Sequence, residues 1–217
     1  MPDTLFDRLL NFASPAAQRN CLPISDALEQ YLPETGVVLE VASGSGFHSA
    51  VLADLYKTIT WLPSEQHAEG VKILEKIVRE AELPNFLPPR RLDVRAINWQ
   101  VADVNAVLCC NMLHISAWSA CEALFVGSGR LLSDGENLII YGPFKVGDKH
   151  TSQSNALFDK ALKEQNAFWG IRDISNLETL AAANEFSLVA KVTMPVNNFL
   201  LVYKRGKLTN SLATPKS

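Results

Sequence analysis

The 217-residue chain has little net charge, few cysteines and no long apolar run, and each shortage removes a class of function. A net charge of −3 offers no basic field to hold nucleic acid or an anionic membrane. No apolar stretch approaches the ~18 residues that a bilayer-spanning helix needs. The four cysteines (Cys21, Cys109, Cys110, Cys121) have no C-x-x-C spacing, so no metal site is expected. Cys109 and Cys110 sit together inside an apolar run and read as small buried hydrophobes in a reducing compartment. No secretory leader is evident, so the expected location is the cytoplasm. The rest is ordinary: 47% hydrophobic and 20% charged residues suit one packed domain. The expected boundaries are a single domain over 1–204, opened by a helical segment over 1–36, and a frayed tail over 205–217.

The most informative stretch is Val37-Val38-Leu39-Glu40-Val41-Ala42-Ser43-Gly44-Ser45-Gly46. Its β-branched half reads as a buried parallel strand, and its small residues read as a tight turn. Ala50, Val51, Ala53 and Leu55 then open a helix. A strand, a glycine turn and a helix start form the local shape of a nucleotide-binding βα unit. Glu40 argues against the phosphate-binding version, whose G-x-G-x-x-G signature lacks a strand-end acid. A carboxylate repels a pyrophosphate but suits a ligand carrying positive charge, such as S-adenosylmethionine (SAM).

Taken in order, Leu5 to Ala13 predict a short helix broken at Ser14-Pro15. A polar stretch, Gln18-Arg19-Asn20, follows, and a second helix is expected to start at Pro23. After the central strand, Thr58 to Leu62 predict a second strand ending at Pro63-Ser64-Glu65. Val71, Leu74, Val78 and Ala81 mark a helix, and a third strand is expected near Leu87–Leu92, ending at Asp93. Ala106 to Cys110 and Leu138 to Tyr141 predict two more strands. Ser119 with Glu122, and Ser175 with Glu178, read as capping boxes of two helices. A polar loop is expected from Lys145 to Ser154. Phe186–Val192 and Phe199–Tyr203, joined by a short link, can only pair antiparallel. The sum is an α/β, Rossmann-like fold: a mostly parallel seven-stranded sheet, a C-terminal antiparallel hairpin and helices on both faces.

These residues resemble the class I SAM-dependent methyltransferase superfamily, whose first motif is an acid followed by small residues at alternating positions. Ala42 stands where glycine is commoner. More specifically, the chain is similar to the domain-of-unknown-function 938 family, also called methyltransferase-like 26. The matching stretches include Trp61-Leu62-Pro63-Ser64-Glu65, Asn111-Met112-Leu113-His114, Tyr141-Gly142-Pro143-Phe144, His150 to Asn155 and Trp169 to Asp173. The resemblance implies SAM as cofactor, held at Glu40, Ala42, Ser43, Gly44 and Gly46. It further implies Glu65 on the ribose hydroxyls, with Asp93 and Val94 at the adenine. Family aspartate is commoner at position 65.

Other assignments rest on position. Asn111, at a strand end, is expected near the methionine part of the ligand, and Arg19 and Asn20 over the cofactor pocket. His114, just past the fourth strand, is the catalytic candidate; a packed histidine is the alternative. Tyr141, on the neighbouring strand end, is the second catalytic candidate, to orient the acceptor or line the pocket. His150, Ser152 and Asn155 are candidates for a loop over the acceptor, or simple surface. Arg172 would recognise an anionic group or form a surface ion pair. Two functions follow: a methyltransferase acting on an O, N or S atom of a small molecule, or a SAM-binding module that serves a protein partner without turnover. An NAD-type oxidoreductase is a third, opposed by Glu40 and by the missing third glycine. No Asn-Pro-Pro-Tyr-like stretch or Pro-Cys nucleophile supports nucleic-acid methylation.

Overall fold

A computed structural model describes residues 4–206; of the expected tail over 205–217, Arg205 belongs instead to the last strand, and residues 207–217 lie outside the described residues. The first half of the chain builds α1 (Leu5–Arg8), α2 (Pro15–Leu28), β1 (Gly36–Val41), α3 (Phe47–Leu55), β2 (Ile59–Glu65), α4 (Ala68–Ala81), β3 (Arg90–Arg91) and β4 (Ala106–Cys110). The second half adds α5 (Trp118–Leu131), β5 (Asn137–Val146), β6 (Lys149–His150), α6 (Gln153–Gln165), β7 (Arg172–Asp173), α7 (Ile174–Ala183), β8 (Phe186–Met194) and β9 (Asn198–Arg205). The strand order is β3-β2-β1-β4-β5-β9-β8, with β6 and β7 paired to the far end of β5. β1, β2, β4 and β5 run parallel, and β9 and β8 close the sheet antiparallel. This is the expected α/β layout.

Strand alternation splits the core into two layers. Val38, Trp61, Leu108, Ile139 and Val202 face α1 to α4, packing on Cys21, Ile24, Leu28, Ala50 and Leu74. Their neighbours Leu39, Leu62, Val107, Ile140 and Tyr203 face the opposite way, onto Cys121, Leu124, Phe125 and Leu177. The chain runs outward from β1 to β3, then returns to lay β4 on the other side of β1. A crevice opens at such a switch, above the strands' carboxyl ends. All four cysteines are buried and unpaired.

Several local expectations need correction. Ser14 and Pro15 start a helix rather than break one: Ser14 Oγ accepts the Ala17 amide at 3.1 Å, and α2 runs unbroken to Leu28. Pro23 lies inside it and merely leaves the Arg19 carbonyl without its helical donor. The third strand shrinks to Arg90–Arg91, because Pro88 and Pro89 bring no N–H to a ladder. Neither capping box forms. Helix α5 begins at Trp118 with no side-chain cap, and α7 is capped by Asp173, which accepts the Ser175 amide at 2.8 Å. The polar loop after Lys145 is largely ordered as β6 and the first turn of α6.

Candidate active site

A cleft of about 490 Å³ sits over the switch, within the usual size of a small-molecule site. Glu40, Ala42, Ser43, Gly44, Glu65, Asp93, Val94 and Asn111 all line it. Gly46, Arg19 and Asn20 do not; α2 meets the cleft through Ser14 and Ala17, one turn earlier. Ile115, Ser116, Ala117 and Ala120 wall the side nearest α5.

The turn after β1 is held by serines. Ser43 N–H donates to the Ser64 carbonyl (2.8 Å), Ser64 N–H donates to Ser43 Oγ (3.1 Å), and Ser64 Oγ–H donates to the Glu40 carbonyl (2.8 Å). Ala42 takes the left-handed conformation (φ 56°) that glycine occupies freely. The turn therefore keeps its shape despite the methyl, at a cost of roughly 1–2 kcal/mol. Ala42→Gly is expected to raise stability by about 0.5–1 kcal/mol after the entropic cost of glycine in the unfolded chain, read as a shifted urea midpoint.

Glu40 is only 1% exposed. Its Oε2 accepts from Ser49 Oγ (2.6 Å) and from the indole of Trp61 (2.8 Å). Burial pushes the carboxyl up to about 7, although both hydrogen bonds pull it down. The folded protein thus holds a proton that the unfolded chain has lost, and this contribution to stability fades as pH rises from the unfolded value toward 7. His48 and His114, both pushed down to about 4 by burial, act in the opposite sense below pH 6.5. They cancel when a Glu40 variant is compared with wild type. Glu40→Gln is therefore expected to gain stability over wild type by roughly 1–3 kcal/mol between pH 5 and pH 8 in paired urea titrations. A constant difference would mean that Glu40 is ionised throughout.

Glu65 accepts the Gly44 amide (3.2 Å) and the Gln66 amide (2.8 Å). Asp93 is gripped by Arg95 through its main-chain N–H (3.0 Å), Nε (3.0 Å) and a terminal nitrogen (2.9 Å), and takes a bond from Gln66 Nε2 (3.1 Å). The Arg95 side chain is the main reason its carboxyl lies below the usual value. Gln66 thus ties the two acids together.

His114 stands just beyond the cleft, next to Asn111 on its wall. A Cβ built on Gly142 would lie 3.6 Å from His114 Nδ1 and 3.7 Å from Asn111 Oδ1, so both polar groups converge there. His114 is buried, stacked edge-on to Phe158 with centroids 5.4 Å apart, and neutral at pH 7 because burial lowers its pKa to about 4. The other candidates are engaged by the fold. Tyr141 is 1% exposed, its hydroxyl accepting from Asn198 Nδ2 (2.8 Å), and it does not line the cleft. Ser152 caps α6, and Asn155 donates to Thr151 (3.0 Å) and to the Asn197 carbonyl (3.1 Å). His150 pairs with the buried Asp159 (2.9 Å). Arg172 spends its guanidinium on the carbonyls of Leu113 (3.0 Å), Phe168 (3.0 Å) and Ser116, with no acidic partner among the described residues.

Ser49, Gln66 and His48 were not singled out by sequence, and Trp61 and Ser64 only as part of a family stretch, with no role in the site. His48 lines the cleft, with its Nε2 sealed from solvent and its ring against the Ala17 backbone. Gly44, in the left-handed region (φ 58°), leaves open space where a Cβ would stand. The residues present fit SAM: acceptors for hydroxyls and amines at Glu65 and Asp93, and open backbone at the turn.

Solved structures similar to this chain include methyltransferases. An O-methyltransferase family 2 protein from Planctomyces limnophilus, in complex with apigenin, superposes with a TM-score of 0.78 at 19% identity, covering 94% of this chain and 62% of that one. An O-methyltransferase family protein from Burkholderia thailandensis gives 0.73 at 14% identity, covering 95% and 64%. Human N-acetylserotonin methyltransferase in complex with SAM gives 0.69 at 12% identity, covering 94% and 57%. The chain thus spans about three-fifths of the length of these neighbours, and at such identities the likeness establishes the fold. Sequence places it more narrowly: residues 11–205 match the profile described as "Protein of unknown function (DUF938)", and the chain belongs to that family.

Proposed function

We propose that the protein binds SAM in this cleft and methylates an O, N or S atom of a small molecule. The observation carrying the proposal is that Glu40, Glu65 and Asp93, from three separate strand ends, line one cleft beside the left-handed turn. Glu65 would accept from the ribose hydroxyls, Asp93 from the adenine amino group, and Val94 would lie against the ring. Glu40 would draw the positively charged end, with Asn111 beside it. When bound, SAM supplies a methyl group already activated by its sulfonium. The chain's own task is alignment: Asn111 and His114 orient the acceptor, and the α5-side wall excludes water. Neutral His114 offers a lone pair for any acceptor proton that must leave. The neighbours crystallised with SAM and with apigenin support the same reading.

Calorimetric titration with SAM, S-adenosylhomocysteine (SAH) and NADH tests the cofactor. SAM and SAH are expected to bind and NADH to stay silent; the reverse pattern sinks the proposal. One observation favours a binding module instead: Tyr141, His150, Ser152, Asn155 and Arg172 all have partners within the fold. Incubation with fractionated metabolite extracts separates the two, because only an enzyme accumulates SAH.

A further inference from the structure

Away from the turn after β1, the most exposed large apolar side chain among the described residues is Ile97, at 86%. It belongs to the segment 94–99, which is pinned against α5. The Trp99 indole donates to the Val94 carbonyl (3.0 Å), and Arg130 donates to the Ile97 carbonyl (2.6 Å). Trp99 also packs so closely on Gly127 that a Cβ there would meet it at 2.1 Å. Ile97 therefore projects from a fixed base, and little order remains to be imposed on binding. Between the segment and α5 runs a groove of about 390 Å³, lined by apolar Val94, Ala96, Ala123 and Val126. Single exposed apolar residues are ordinary, but one standing beside a continuous apolar groove marks a contact surface. Three charges rim it: Arg95, Glu122 and Arg130. Arg95 is taken by Asp93, whereas Glu122 and Arg130 have no ion-pair partner among the described residues.

Those two charges complement each other across a twofold axis. Glu122, Val126 and Arg130 are exposed and spaced four apart along α5, so they form one ridge with Val126 midway. We propose that this groove is a self-association surface, on which a second copy of the chain lays its α5 antiparallel about an axis at Val126. Glu122 of each copy then meets Arg130 of the other, about 6 Å along the helix on either side of the axis. The same rotation carries Ile97. Its bond to Arg130 fixes it at that end of the groove, while Val94, which shares the main cleft with Ala120, marks the Ser119 end. Each Ile97 is thereby brought over the Ser119–Ala123 end of the other copy's groove. Charge and shape thus agree on one occupant. The pairing stands independently of the SAM reading.

Sedimentation velocity over a concentration series tests it. Wild type is expected to form a reversible dimer of micromolar affinity, as a contact of this modest extent allows. Glu122→Arg or Arg130→Glu alone sets like charges opposite each other twice, and each should weaken the dimer by about 100-fold or more. The two together exchange the signs and should recover most of the affinity. Ile97→Asp should also abolish the dimer. Glu122 and Ile97 have exposed side chains, so those variants are expected to melt as wild type does. A wild type still monomeric at about 100 µM overturns the proposal and leaves the groove to a different partner. A dimer that withstands Ile97→Asp and both single reversals overturns it as well, because it must use another face. So does failure of the double exchange to restore pairing.

Discussion

His114→Ala is expected to lower turnover by about 100- to 10,000-fold while leaving SAH affinity within about twofold of wild type. The separation follows from where the ring sits. His114 is outside the cleft that the carboxylates line, but its Nδ1 converges with Asn111 Oδ1 on the Gly142 backbone at the cleft's edge. A neutral imidazole there can fix the acceptor and take its proton, and neither task touches the adenosyl group. The pH profile sharpens the test. Ionisation of His114 near 4 leaves its contribution flat above about pH 5. Any limb near pH 7 belongs to Glu40 and should vanish in Glu40→Gln, not in His114→Ala. Loss of SAH binding alongside turnover, or a melted protein, would return His114 to a packing role against Phe158.

How much of this was legible in the chain depends on the range of the interaction. Parallel strands buried on both faces read as apolar runs, so β1, β4 and the start of β5 stand out, and their polar ends with them. Glu40, Glu65, Asp93 and Asn111 could be placed at one rim from order alone, since parallel strands present their carboxyl ends together. Local chemistry misled where tertiary packing outweighed it. Pro23 is a strong starting signal, yet α2 was nucleated earlier by Ser14 and held by the burial of Cys21, Ile24 and Leu28. Ser119 and Ser175 have the spacing of caps, but each falls one residue inside a helix whose start is set elsewhere.

The residues that tune the site were hidden for a different reason. Trp61 looks like core in an apolar strand, and it is core; only the pairing of β2 against β1 aims its indole at Glu40. Ser49 lies nine residues from Glu40 and reaches it only because the turn doubles α3 back over the strand end. Tyr141 was expected at a strand end, but β5 runs on through Gly142, Pro143 and Phe144 to Val146, and the alternation of the strand sends the Tyr141 side chain into the layer under α2. His48 carried a usable signal: a polar residue two positions after a glycine turn, in the first turn of a largely apolar helix.

Glu65→Ala is expected to weaken SAM by about 100-fold or more, because two ribose hydroxyls would each lose a charged acceptor. Glu65→Gln should fall between, keeping the shape of the acceptor and losing its charge. The carboxylate is already positioned by the Gly44 and Gln66 amides, so its reach is set before any ligand arrives. Helix α4 passes so close that a Cβ on Gly70 would lie 2.3 Å from Glu65 Cγ. Gly70→Ala should therefore push the carboxylate aside and reproduce part of the loss with every carboxylate still present. That variant decides between charge and position. If Gly70→Ala binds SAM as wild type does, Glu65 acts through its charge over a loose geometry. If both variants bind normally, the ribose is held elsewhere, and the three strand-end acids do not form a cofactor site.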